Sequence, residues 1–555
     1  MVPSVEDTGL HDHFNDWPNE IGFDANYEQR TPVELDVAGN FPSYTAGILY
    51  RIGPGKSSVD TEQGDIFRVS HWFDGFSQTH RFEILAENVS SSSVRVFYSS
   101  RFSTDHLIEE VRRSGSMEKI SFGQNQDPCR AVFKKAQSTY EPSDPSMQNI
   151  GVTLSVNMPG LDGPYPPPNE ELQGRWTGSS DIKTLYAKTD STSLKELDTV
   201  TLEPIGLATQ SSLHPDLAGP FSASHARSDP VTGDMFNFNL TFGQESIYRI
   251  FRVSASTGNT TILATFPGVP AYIHSLLITE NYVLFCVWNS HVSPAKLQKS
   301  FAQAIQPFDT SKPATWYVVD RHGDKGLVAT YESGAFFCFH TVNAWEESSS
   351  TDPTKADIIA DLIAYDNLNF IQQGLYEQLI STSPKAKERI LSMQDNRGTI
   401  TRFRLPAIPT TPCSNIHSAT VVWNACKELS PDLPTINPAY VTQKHRYSYM
   451  IVNRGKSTFF DGIVKFDAET KGTRLWGHHA HSPGEPIFVA DPNGSNEDDG
   501  VVLSVVLNGR TGRSYLLCLD AHDMKELGRA DVNGPVAFGF HGQHVPTHGM
   551  PTGDY

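Results

Sequence analysis

Four histidines sit in short, distinctive contexts in this 555-residue chain. They are His225 in Ser-His-Ala-Arg-Ser-Asp-Pro-Val-Thr-Gly, His274 in Ile-His-Ser-Leu-Leu-Ile-Thr-Glu-Asn-Tyr, His340 in Phe-His-Thr-Val-Asn-Ala-Trp-Glu and His541 in Phe-Gly-Phe-His-Gly. Neutral imidazole is a common ligand for iron, copper and zinc. Four of them on one ion, with no carboxylate bound beside them, would make an unusual redox site. The gaps of 49, 66 and 201 residues exceed the reach of any one helix or loop. Only the whole fold can bring the four together.

The elements available to do so read mainly as strands. Ser93–Tyr98, Ile247–Val253, Tyr282–Trp288, Trp316–Val319, Tyr447–Val452 and Val501–Leu507 are rich in β-branched and aromatic residues. Asp-Gly, Asn-Gly and Thr-Gly turns punctuate them. Many short strands at close spacing point to a barrel, sandwich or propeller rather than a doubly wound sheet. No Trp-Asp or kelch-type repeat selects the propeller among these. Residues 157–180, with Pro-Gly-Leu-Asp-Gly-Pro-Tyr-Pro-Pro-Pro, read as an irregular surface insertion. Apolar positions 358, 359, 362, 363 and 370 predict a helix over Ala356–Leu379. A shorter helix is expected at Ala295–Ile305, with Leu297, Phe301, Ala304 and Ile305 on one face.

Composition narrows the function classes. With 63 acidic against 44 basic residues the net charge is -19, which argues against a nucleic-acid partner, since phosphate contacts need a clustered basic surface. Mean hydropathy is -0.36, and no apolar run approaches a membrane span. The N-terminus lacks the basic and apolar regions of a secretory signal. Six dispersed cysteines without Cys-x-x-Cys spacing read as reduced core residues. These features together predict a cytosolic protein. Other histidines read as unconnected with a metal. His11 and His13 lie near the N-terminus, and His478, His479 and His481 in a polar loop. His544 and His548 read as exposed tail, and His71 as packing within His-Trp-Phe-Asp-Gly.

The contexts of His225, His274 and His340 resemble the carotenoid cleavage oxygenase family. So do Tyr-Arg-Ile-Gly-Pro-Gly (50–55), His-Trp-Phe-Asp-Gly (71–75), Gly-Glu-Pro-Ile-Phe-Val (484–489) and Glu-Asp-Asp-Gly-Val-Val-Leu-Ser (497–504). These motifs come in the family's order from about residue 30 to 545. The resemblance implies an all-β, seven-bladed β-propeller with a helical and loop cap over the active-site face. Residues 30–548 would form that single domain, with cap insertions including 157–180 and 290–315, between an N-terminal extension (1–29) and a C-terminal tail (549–555). It implies Fe(II) on the propeller axis, held by His225, His274, His340 and His541, each from the inner strand of a different blade. It also implies carboxylates behind three of the rings: Asp190 for His274, Asp432 for His340 and Glu485 for His541. Such outer partners fix a ring's tautomer and aim. The family usually carries three glutamates. Aspartate is one methylene shorter, so either the backbone sits closer or a water bridges.

The implied reaction is addition of both atoms of O2 across one conjugated double bond, with scission to two carbonyl products. The protein would supply binding, orientation and exclusion of water. Stilbene-cleaving members carry a lysine where this chain has Thr189, which resembles the threonine of the carotenoid and retinoid branch. Phe102 matches a cavity aromatic of that branch. A carotenoid or apocarotenoid is therefore expected, torulene-like or β-carotene-like. The alternatives are stilbene cleavage, an inert carotenoid-binding propeller, or an isomerohydrolase of retinyl esters. An apolar polyene also implies association with a membrane surface, for which Ala295–Ile305 is the expected patch.

Overall fold

The computed structural model describes residues 13–86, 94–117, 122–123, 144–161, 182–297, 300–386, 388, 397–547 and 553–554. Most of the 157–180 insertion, Cys129, His11 and His548 lie outside them.

Seven sheets of four to six strands form the blades of a β-propeller. Blade 1 combines Gly47–Lys56, Phe76–Ala86 and Val94–Phe102 with the late strand His541–Pro546. Blades 2, 3 and 4 begin at Thr153–Val156, Arg227–Ser228 and Leu277–Ile278, and blades 5 and 6 at Phe337–Ser348 and Pro431–Thr435. Blade 7 runs from His481–Pro483 to Glu526–Asp531 and takes the early strand Asp36–Gly39 at its edge. The ring closes twice. Ile52 pairs with His541 in blade 1, and Asp36 pairs with Asp531 in blade 7. Neither closure is local in sequence, so both wait on the intervening blades.

Each blade is packed between two others, so its inner strands are buried on both faces while outer ones such as Pro204–Thr209 and Thr420–Ala425 stay partly exposed. That explains the error over Ala356–Leu379. Ala356–Tyr365 is a strand of blade 5, and only Asn369–Gln372 and Tyr376–Leu379 are helical. A strand buried on both sides loses its alternation, and Ile358, Ile359, Leu362 and Ile363 then mimic a helical stripe. Its buried Asp361 lies opposite Arg402 on the neighbouring strand. The guanidinium donates to both carboxylate oxygens at 2.8 Å.

Three other expectations change. Ala295–Ile305 is not one amphipathic helix. It holds a 3-10 turn at Pro294–Lys296 and one helical turn at Phe301–Ala304. Leu297 and Phe301 pack against the largest core, while Pro294, Ala295, Lys296 and Gln303 are exposed. The apolar side chains thus face inward. His544 is not tail: it lies in the closing strand, and its Nε2 meets the Thr45 carbonyl at 3.0 Å. His481 heads a strand of blade 7. His71 is buried structural packing, its Nε2 at 2.7 Å from the Ile371 carbonyl.

Residues 13–29 lie on the propeller. Trp17 donates to Ser482 Oγ at 3.0 Å, and Phe23 packs edge-on against Trp72, Phe459 and Phe538. Near the C-terminus, Asp554 accepts hydrogen bonds from Ser155 Oγ and Lys188 Nζ at 2.7 Å. Among the described residues no helix is long and apolar enough to cross a membrane.

Candidate metal centre

His225, His274, His340 and His541 meet on the propeller axis, with one ring nitrogen from each within 4.8 Å of the others. His541 is the first residue of its strand, and His340 lies inside its strand. His225 and His274 sit in the extended segments just before theirs. A parallel bridge joins His225 to Ser275, and the His225 amide donates to the His274 carbonyl at 3.1 Å. Blades 1, 3, 4 and 5 thus contribute histidines. Blades 2, 6 and 7 contribute carboxylates.

Those carboxylates are the three that the resemblance implied, and each touches its ring directly. Asp190 Oδ1 lies 2.8 Å from His274 Nδ1, Asp432 Oδ1 2.6 Å from His340 Nδ1, and Glu485 Oε1 2.7 Å from His541 Nδ1. No bridging water is needed at either aspartate, because the backbone carries each close enough. Each carboxylate is held in turn. Asp190 accepts from Tyr272 Oη at 2.8 Å and the Ser224 amide at 3.2 Å. Asp432 accepts from Tyr365 Oη and from its neighbour's amide, Leu433 N, at 2.8 Å. Glu485 accepts from Arg51 Nη1 at 2.6 Å and Gly542 N at 2.8 Å. Among the described residues His225 has no carboxylate partner.

Burial favours the neutral ring at His225 and His541. Burial drives His225 well below its ordinary value, and the other three imidazoles add to that. Burial likewise takes His541 down to about 4, against the pull of Glu485. Burial pushes Asp432 and Glu485 up, but His340 beside one, and His541 with Arg51 beside the other, outweigh it and hold both below the usual carboxylate range.

The donor set fits a metal ion. With Nδ1 of three rings turned to carboxylates, Nε2 is free to point inward. His340 Nε2 is buried without any hydrogen-bond partner, a state that costs about 1–3 kcal/mol unless something else satisfies it. A cation at the centre would face the three carboxylates behind the rings, Asp190, Asp432 and Glu485.

Two cavities flank the cluster. One, of about 320 Å³, reaches His274, His340 and His541 and is walled by Phe73, Tyr272, Phe339 and Phe540, with Thr189 beside Asp190. The other, of about 360 Å³, reaches His225, His340 and His541 and carries Lys188, Arg227 and Asp554. Phe102 was expected in the cavity wall but lines neither cavity. At the end of Val94–Phe102 it is buried with Leu107 and Val111 in a core that shares Trp72, Phe460 and Phe540 with the wall of the aromatic cavity. Sequence reasoning missed Arg51, Tyr272 and Tyr365. Arg51 lay inside a quoted motif, and Tyr272 stands two residues before His274, a strand-like spacing that repeats a facing side. Nothing local marks Tyr365.

A family model, retinal pigment epithelial membrane protein, matches residues 22–546. A carotenoid dioxygenase of Neurospora crassa is 41% identical over 96% of this chain and 92% of its own length. A torulene dioxygenase of Gibberella fujikuroi is 39% identical over 97% and 95%. Among solved structures, a variant apocarotenoid oxygenase of Synechocystis superposes with a TM-score of 0.72 at 20% identity, covering 97% of this chain and all of that one.

Proposed function

We propose, for a chain that belongs to the retinal pigment epithelial membrane protein and carotenoid oxygenase family, an iron(II)-dependent carotenoid cleavage. Both atoms of O2 add across one conjugated carbon–carbon double bond of a carotenoid or apocarotenoid, and that bond breaks to give two aldehydes. Atoms and electrons balance without a further reductant, since the four electrons of the broken double bond reduce O2. The observation that carries this reading is the aromatic cavity that opens onto three of the four histidines, His274, His340 and His541.

Bound at His225, His274, His340 and His541, iron(II) would supply the activation of O2. The chain's own residues do the rest. Asp190, Asp432 and Glu485 hold three rings in one tautomer, so that the site is built before any ion arrives. Phe73, Tyr272, Phe339 and Phe540 present apolar faces that accept a flat polyene and exclude water. No acid or base is needed at the cut. Tyr272 and Tyr365, the hydroxyls closest to the rings' carboxylates, stay protonated because burial raises both well above the ordinary phenol value.

Torulene is the favoured substrate by likeness to the fungal relatives, with β-carotene or an apocarotenal close behind. Thr189 in the wall lacks the charged donor that would suit a phenol. So apolar a substrate comes from a lipid or micellar phase, and the reading includes contact of the cap with such a surface. The test is to give iron(II)-loaded protein torulene, β-carotene, an apocarotenal and resveratrol under O2, and to identify products by mass. Aldehydes from a polyene are expected. Cleavage of resveratrol alone would move the function to stilbenes, and no aldehyde from any of the four would overturn it.

A further inference from the structure

The aromatic cavity ends, on the cap side, at a wall one residue thick. Phe122, Phe301 and Phe370 line the cavity beside the histidines. Their chain successors, Gly123, Ala302 and Ile371, line a third cavity of about 400 Å³. The wall is stitched from three segments. Ala302 N donates to the Phe122 carbonyl at 2.8 Å, His71 Nε2 meets the Ile371 carbonyl at 2.7 Å, and the Phe122 and Phe301 rings lie 5.4 Å apart. The outer cavity mixes Ile305, Phe308 and Leu368 with Gln306, Asn367 and Asn369.

Size makes this wall matter. A cavity of about 320 Å³ is near the lower end of the roughly 300–1,000 Å³ that holds a drug-sized ligand. A full-length carotenoid needs more room than that, and an internal cut requires chain on both sides of the bond. Two of the wall's rings stand on single helical turns, Phe301–Ala304 and Asn369–Gln372. Isolated turns are marginal, and such elements open locally at small cost.

We propose that Phe301 and Phe370 form a septum that turns aside to admit the distal end of the polyene into the outer cavity. The septum thereby sets the substrate class as full-length carotenoids rather than short apocarotenoids. This rests on the polyene-cleaving reading above. Phe301 is only partly buried against the core and packs against the rings of Phe122, Phe221 and Tyr272, so its rotation breaks no hydrogen bond.

The test is anaerobic binding of β-carotene and retinal from detergent micelles to the iron(II)-loaded protein, followed by polyene absorbance. Ala302→Trp and Ile305→Trp each fill the outer cavity from a different position. Either should raise the Kd for β-carotene at least tenfold relative to that for retinal. Phe301→Ala should shift the same ratio the other way. If wild type binds both polyenes and the ratio stays within twofold in all three variants, the septum proposal is overturned while polyene cleavage stands. If wild type binds neither, the polyene reading itself fails.

Discussion

The unit of this site at the residue scale is a pair, a ring and the carboxylate behind it. Asp190 and Asp432 stand where the resemblance expects glutamates, yet both reach their rings at direct hydrogen-bond distance. Asp432 is the more buried and is braced by Tyr365. Asp432→Asn removes the charge and nearly keeps the shape. It should lower iron retention or turnover about 10–100-fold, read by iron content after dialysis against a weak chelator and by kcat. Unchanged iron content and turnover would show that the ring needs no charged partner. The four histidines were legible because each sits in a distinctive local context. Tyr365 was not, because it reaches Asp432 from a strand 67 positions away and nothing near it in sequence signals the partnership.

Elements place these residues through closure of the ring. The closing strand His541–Pro546 runs beside Gly47–Lys56, and Gly542 sits where a Cβ would meet Arg51 Cδ at 2.4 Å and the Tyr50 carbonyl oxygen at 2.5 Å. Gly542 N also donates to Glu485, so this one position ties the closure to the carboxylate behind His541. Gly542→Ala should destabilise the fold by about 1–3 kcal/mol, the usual cost of overpacking, and weaken iron binding in the same protein. A denaturant midpoint and iron content both equal to wild type would contradict the account. Strand content was readable from β-branched runs and turn dipeptides, but blade 5 was not. Its strand Ala356–Tyr365 is buried on both faces, and burial on both faces erases the period-two signal that distinguishes strand from helix. Short cap elements were equally opaque, because packing under Leu297 and Phe301, not local propensity, decides where they turn.

For the whole molecule, seven blades bring to one axis groups that the chain separates by hundreds of residues. The same burial that organises the axis fixes histidines elsewhere. Burial lowers His71 and His445 from 6.5 to about 4. Each ring takes a proton more readily in the unfolded chain, so the stability held above pH 6.5 is lost as pH falls toward 4. The thermal midpoint should therefore drop across that window, and a midpoint flat from pH 6.5 to 4 would show that these rings titrate normally. Propeller architecture was not derivable from periodicity, since no repeat marks the blades. It came from motifs in a family's order, and the sheet order bears it out. As a whole, the molecule is proposed to add both atoms of O2 across one polyene double bond at this axis. The most direct measurement is a single turnover of iron(II)-loaded protein with torulene under isotopically labelled O2, with the aldehydes reduced at once to prevent exchange with water. Two products, each carrying one labelled oxygen, are predicted. Label in one product alone, or in neither, would contradict the account.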